Sequence, residues 1–292
     1  MMRAGAACGF ARGVFLGLLA VIPASHQVSA AGDAPAAIAA QAVAADHHKR
    51  AQFKRQRASR EARHVADWVV HADDNHAGDH RGLPFVIVDK KDAKVFVFDA
   101  HGRLLGAAAA LLGEARGDES VPGIGDRELS SIRPEEKTTP AGRFVAVLGG
   151  NMRGEDVLWV DYGGAVSMHR VLTTNLKERR LQRLASQTPA DNRISYGCIN
   201  IPAKFYEIVV RPTFTGTNGI VYVLPETRPA RAVFASYDVE QHTRLQAASQ
   251  FQGADVACRR QGQSHQRCHS IERLSKKSQD LQVNAVLEKV IQ

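Results

Sequence analysis

A chain of 292 residues with 44% hydrophobic and 23% charged side chains has room for one domain of ordinary size plus extensions. Its net charge of +8 is unevenly placed: residues 46–64 hold seven basic side chains against two acidic, residues 227–292 hold ten against six, and residues 65–226 hold 19 against 21. A near-neutral core between basic flanks speaks against nucleic acid as a partner and leaves two readings of the flanks, screened attraction to an anionic envelope surface or solvated tails.

Residues 1–30 read as an export signal. Arg3 and Arg12 supply the positive charge, residues 13–23 the apolar run, and Val28-Ser29-Ala30 an A-x-A-like cleavage site. The run is shorter than the roughly 20 residues of a membrane span, so no transmembrane segment is expected after cleavage; an uncleaved anchor is the competing reading. Cys8 would leave with the signal. Residues 31–82 read as an Ala-rich and basic linker with a helix over 47–70, carrying Phe53, Val65, Trp68 and Val69 as sparse apolar positions. The loop 71–80 holds His71, His76 and His80 beside Asp73, Asp74 and Asp79, but their spacing matches no metal-ligand pattern, and no metal is expected.

The core is expected over 83–226. Two runs rich in Val, Ile and Phe, 83–89 and 94–99, flank a polar turn Lys90-Lys91-Asp92, and a third strand is predicted over 103–112. A long Gly/Pro/acidic connection over 113–142 follows. Strands resume at 143–148, 156–162 and 165–171, separated by Gly-Gly turns. Residues 176–185 have helical spacing, with Leu176, Leu181 and Leu184 predicted inward and Lys177, Arg179, Arg180 and Arg183 outward. Pro202 opens a short helix through Phe205, Tyr206 and Val209, and 219–224 reads as the last strand. The fold class is mainly β (α+β) with two short helices. Residues 227–292 form a polar basic extension in which 281–290 fits one amphipathic helix, and Cys258 and Cys268 are natural partners for a small disulfide loop in an oxidising compartment. Pairing of a tail cysteine with Cys198 is the alternative.

Cys198 is then the odd thiol, in Ser195-Tyr196-Gly197-Cys198-Ile199-Asn200. A cysteine after a glycine, with small polar flanks, fits a sharp turn in which the amides of Tyr196, Gly197 and Cys198 face a substrate oxygen. A buried structural cysteine is the competing reading. An ordinary thiol, with a pKa of about 8.5, is only a few per cent thiolate at neutral pH and needs a base. The core holds two histidines: His101 in a hairpin turn, and His169 on the strand 165–171. His169 is the candidate general base.

These residues resemble the catalytic domain of the L,D-transpeptidases, bacterial peptidoglycan enzymes with a cysteine nucleophile. The resemblance rests on His169, on Ser195, Gly197, Cys198, Ile199 and Asn200, and on Lys137-Thr138-Thr139-Pro140-Ala141-Gly142-Arg143-Phe144, which looks like the family's lead into a core strand. It covers about 83–226. Two features depart from the family: Tyr196 replaces its usual second histidine, and His169 and Cys198 stand 29 positions apart, a longer interval made up by the basic helix 176–185 as a lid or cleft wall.

The resemblance implies a mixed β-sheet sandwich with short helices and acyl transfer on peptidoglycan stem peptides in the periplasm or envelope. Cys198 would attack, His169 would act as base with its ring oriented by the Arg170 carbonyl, and the amides of Gly197 and Tyr196 would hold the oxyanion. Ser195, Asn200 and Arg193, with the Arg170 side chain, are candidates for substrate contact or for structural pairing. No cofactor is implied. The acceptor would be a stem-peptide amine, a lysine of an anchored envelope protein, a free D-amino acid or water. A papain-like hydrolase would need the cysteine before its histidine, and only His242, His265 and His269 follow Cys198. A non-catalytic peptidoglycan-binding module is the other class, favoured by Tyr196.

Overall fold

In a computed structural model of the protein the described residues are 50–71, 78–246 and 249. The expected signal, Ala-rich segment, tail helix and Cys258–Cys268 loop all lie outside them. Among the described residues there are ten strands: β1 Phe85–Asp89, β2 Lys94–Phe98, β3 Leu104–Ala109, β4 Leu112–Gly113, β5 Gly142–Gly150, β6 Asp156–Asp161, β7 Val166–Arg170, β8 Arg193–Ser195, β9 Ile199–Ile201 and β10 Gly219–Val223. Eight form one mixed sheet in the order β3-β2-β1-β10-β5-β6-β7-β9, and β4 and β8 make a small parallel ribbon. Within the large sheet β1 runs parallel to β10 and β7 parallel to β9, and the other pairs are antiparallel. The expected mainly β class with a mixed sheet and short helices is the one observed.

Strand periodicity explains the layering, because alternate residues face opposite sides. Val86 and Val88 of β1, Val95 and Val97 of β2, Leu158 of β6, Met168 of β7 and Ile199 and Ile201 of β9 share one buried cluster with Tyr206, Val210 and Phe214. Those last three lie on a helical stretch over 203–214, regular at Ala203–Phe205 and Arg211–Phe214 and widened to a π turn at Tyr206–Val210, just before Pro212 removes an N–H from the ladder. The opposite face of β1, β2 and β10 presents Phe85, Ile87, Phe96, Phe98 and Tyr222 to a second cluster under the helix α1, Arg60–Val70. Burial on both faces is why β1 reads as an unbroken apolar run.

The helix expected over 47–70 is shorter. Ser59 caps it, its hydroxyl accepting from the Ala62 amide at 3.0 Å, and the preceding residues run along the sheet instead. Gln52 bridges Arg103 beside β3, and Phe53 packs edge-on against Phe96 and Phe98 at 5.2 and 5.1 Å. The third strand ends at Ala109, and the connection after β4 contains the 3-10 turns Ile124–Asp126, Leu129–Ser131 and Pro134–Glu136.

Between β7 and β8 the excursion holds a 3-10 turn, Leu176–Glu178, then Arg179 in the left-handed region and α2, Arg180–Ala185. Its orientation departs from the expectation at four positions, while Lys177 and Arg179 are exposed and Leu184 is half-buried. Leu176 and Leu181 are 84% and 58% exposed, while Arg180 and Arg183 turn toward the protein. Arg183 donates to the carbonyls of Glu178 and Asp191 at 2.9 and 2.8 Å. The left-handed break at Arg179 rotates the apolar spacing out of register with the core.

Candidate active site

Cys198 lies immediately before β9, and β9 runs beside β7 with Met168 opposite Ile199 and His169 opposite Asn200. Period two then places Ser167 and His169 on the face that Asn200 and Cys198 share. The Ser167 hydroxyl is 3.7 Å from Cys198 Sγ, and the thiol lies 3.6 Å from the Ala165 carbonyl. His169 Nδ1 donates to the Arg170 carbonyl at 2.7 Å, which fixes the ring and leaves Nε2 as the acceptor. Burial alone would push the Cys198 thiol up, but the hydrogen bond and electrostatic attraction between it and His169, with the bonds from Ser167, outweigh it, so the thiol sits below its ordinary range.

The turn carrying the thiol is held from several sides. Gly197 has φ +134°, and a Cβ there would stand 2.7 Å from the Thr138 carbonyl, so no other residue fits. Ser195 Oγ donates to the Cys198 carbonyl at 2.6 Å and accepts from the Gly197 amide at 3.1 Å. Thr139 Oγ1 donates to the Gly197 carbonyl at 2.9 Å and accepts from the Gly113 amide at 2.8 Å. Asn200 Nδ2 donates to the Cys198 carbonyl at 3.2 Å. The Gly197 amide, expected to face substrate, is thus engaged within the turn. The amides of Tyr196 and Cys198 make no hydrogen bond among the described residues.

The residues named for substrate contact or structural pairing all have protein partners. Arg170 is tied to Glu207 at 2.6 Å and to Asp156 at 2.9 Å, and lies 4.2 Å above the Tyr206 ring. Arg193 is buried against Glu226 at 2.6 Å and the Lys90 carbonyl at 2.9 Å. Ser195 and Asn200 are both buried and serve the turn. Tyr196 differs: it is 41% exposed, with Lys137 Nζ 4.5 Å above its ring, and Lys137 is paired with Glu114 at 2.8 Å. His101 is exposed in its turn. His80 is buried, its ring nitrogens 2.9 Å from the carbonyls of Val69 and Ala100.

Lys90 was expected in a polar turn and is instead fully buried. Its ammonium donates to the Gly117 carbonyl at 2.5 Å, to Asp118 at 2.9 Å and to the Thr139 carbonyl at 2.8 Å, with Glu226 at 3.6 Å. Burial draws the ammonium below its ordinary range against the pull of Asp118 and Glu226. Asp118 lies well below the usual carboxylate range: burial works upward, but bonds from Thr227 and Lys90 and from the Glu226 and Thr227 amides prevail. The period-two signal for Lys90 was present, since Val86 and Val88 precede it on the core face. Ser167 likewise follows from His169. No local signal marked Arg180, whose Nη1 donates to Asn200 Oδ1 at 2.6 Å.

No family model matches the chain, and no curated protein matches it by sequence. Among solved structures it is similar to Pgp2, the helical cell shape determining protein from Campylobacter jejuni, at 14% identity over 50% of this chain and 49% of that one, with a TM-score of 0.34. An L,D-transpeptidase from Xylanimonas cellulosilytica is similar at 14% identity over 48% and 60%, with a TM-score of 0.31. The catalytic domain of the Enterococcus faecium L,D-transpeptidase is similar at 17% identity over 48% and 96%, with a TM-score of 0.26. The chain thus spans about half the length of Pgp2. At these TM-scores the overall superposition is loose, and the chemistry of Cys198 and His169 has to be read from the site itself.

Proposed function

We propose that the chain is an exported peptidoglycan L,D-transpeptidase that acylates itself at Cys198. The observation that carries this reading is geometric: His169 shares the face of the β7–β9 pair on which Cys198 lies, and its Nδ1 is committed to the Arg170 carbonyl, which turns Nε2 into the free acceptor. His169 Nε2 takes the thiol proton, and Sγ attacks the carbonyl that joins the L-centre of a diamino acid to a terminal D-alanine. The amides of Cys198 and Tyr196, unbonded to other described residues, then receive the oxyanion. The imidazolium returns its proton to the departing amine, D-alanine leaves, and a thioester remains on Cys198. His169 then takes a proton from the acceptor, and the acyl group passes to an amine of a second stem peptide. A lysine of an anchored protein or water would serve the same thioester, and water would make the enzyme an L,D-carboxypeptidase.

The test is intact-mass analysis after exposure to a carbapenem, which acylates a competent thiolate. One adduct is expected on the wild type and none on Cys198→Ser. Incubation with disaccharide-tetrapeptide should give a cross-linked dimer with loss of D-alanine. A folded protein that forms no adduct and returns the substrate unchanged would overturn the reading in favour of a peptidoglycan-binding module.

A further inference from the structure

The segment between β7 and β8 is basic, with Lys177, Arg179, Arg180 and Arg183 against Glu178 over residues 176–185. Neither its 3-10 turn nor α2 contains a buried residue. Apolar packing therefore does not hold it to the sheet, and polar bonds do. Arg183 spends its guanidinium inside the segment, on the carbonyls of Glu178 and Asp191. Arg180 reaches outward to the catalytic strand.

Arg180 Nη1 donates to Asn200 Oδ1 at 2.6 Å, and its Nε pairs with Glu178. Asn200 in turn donates to the Cys198 carbonyl and lies opposite His169 across the β7–β9 pair. One amide side chain thus separates the guanidinium from the nucleophile's own backbone. The Arg180 side chain is 12% exposed, and its Nη2 makes no hydrogen bond among the described residues. Arg170 and Arg193, by comparison, use both terminal nitrogens on protein acceptors.

We propose that Arg180 is the carboxylate receptor of this site, taking the free C-terminal carboxylate of a peptide donor on its Nη1–Nη2 edge. The inference deepens the function proposed above and rests on it. Glu178 occupies the Nε side and Asn200 one Nη1 proton, which orients the remaining edge rather than satisfying it. A guanidinium so fixed matches a carboxylate in two-pronged geometry, and partial shelter from water strengthens the pair. The surrounding cations favour the arrival of an anion. The carboxylate in question belongs to the residue that leaves, one position beyond the attacked carbonyl, so the contact selects donors by their unblocked end.

The experiment uses the full chain with Cys198→Ser, which removes turnover, and follows NMR titration with a stem tetrapeptide as the free acid and as its C-terminal amide. The acid is expected to bind about 10- to 100-fold more tightly than the amide. Adding Arg180→Gln should bring the acid down to the amide's affinity and leave the amide unchanged, and Arg180→Lys should keep part of the preference. Glu178→Gln, which frees the guanidinium of its carboxylate neighbour, should tighten the acid alone. A preference that survives Arg180→Gln, equal binding of acid and amide before that change, or an unaltered acid affinity in Glu178→Gln would each overturn the assignment. The carbapenem adduct on the full chain with Cys198 intact is read in parallel: its presence beside equal binding sinks only the role of Arg180, and its absence sinks the acyl-enzyme reading.

Discussion

Two basic regions border the nucleophile, and they are held in opposite ways. Beneath the Cys198 turn, Lys90 and Arg193 are buried with Asp118 and Glu226, and the ammonium also grips the carbonyls of Gly117 and Thr139. Beside the turn, residues 176–185 show two leucines to solvent and are held by the part-buried Arg180–Asn200 bond and by the more exposed bonds of Arg183. A desolvated charge must keep all its partners, because losing one leaves another stranded in a poor dielectric. A surface arginine bond can open and re-form with water as the substitute. The contrast divides the site into a fixed half that sets the nucleophile and a loosely held half that is free to adjust to what binds.

The sharpest way to break that contrast is Lys90→Met. It leaves Asp118 and Glu226 without their shared cation and should lower stability by about 3–5 kcal/mol, a fall of roughly 10 °C in Tm for a domain of this size. Scanning calorimetry checks it, and a variant as stable as the wild type would show that the buried cluster is energetically neutral. His169→Asn comes next. With the imidazole gone, only the Ser167 bonds oppose burial and the thiol pKa rises, so the pH limb of thiol alkylation should move to higher pH. At neutral pH the alkylation rate should drop by about 10²-fold, measured by mass spectrometry against time at each pH. The smallest effect belongs to the outer region. Leu176→Ser with Leu181→Ser should change stability by less than about 0.5 kcal/mol, because neither side chain is covered; a larger loss in chemical denaturation would mean that the segment contributes to the core after all.

Much of the fixed half was legible in the chain. The apolar runs mark β1, β2, β7 and β10 within a residue or two, and the structure brings His169 and Cys198, far apart in the chain, to one face of the sheet. What the chain hid was the destination of its arginines. Arg170 finds Asp156 and Glu207 at 14 and 37 positions away, and Arg193 finds Glu226 at 33. Such partners are chosen by strand order, which local spacing does not encode. Helical periodicity misled at 176–185 for a related reason. A pattern of leucines says which residues share a face, but the left-handed residue Arg179 decides where that face points. Lys90 shows the converse, a charge whose inward position followed from strand alternation but whose residue type argued for the surface.

The single bridges at the two margins of the large sheet have a consequence for how the protein behaves at high concentration. An unpaired outer strand invites another chain to add to it. Here Gln52 exchanges backbone bonds beside β3, with its amide on Gly102 and its carbonyl accepting from Leu104, and Leu111 exchanges both of its bonds with Asn200 beside β9. Each margin is therefore stoppered by a piece of the same chain. Strand addition is obstructed at these two positions, and a peptide that extends the sheet at Asn200 has to displace Leu111.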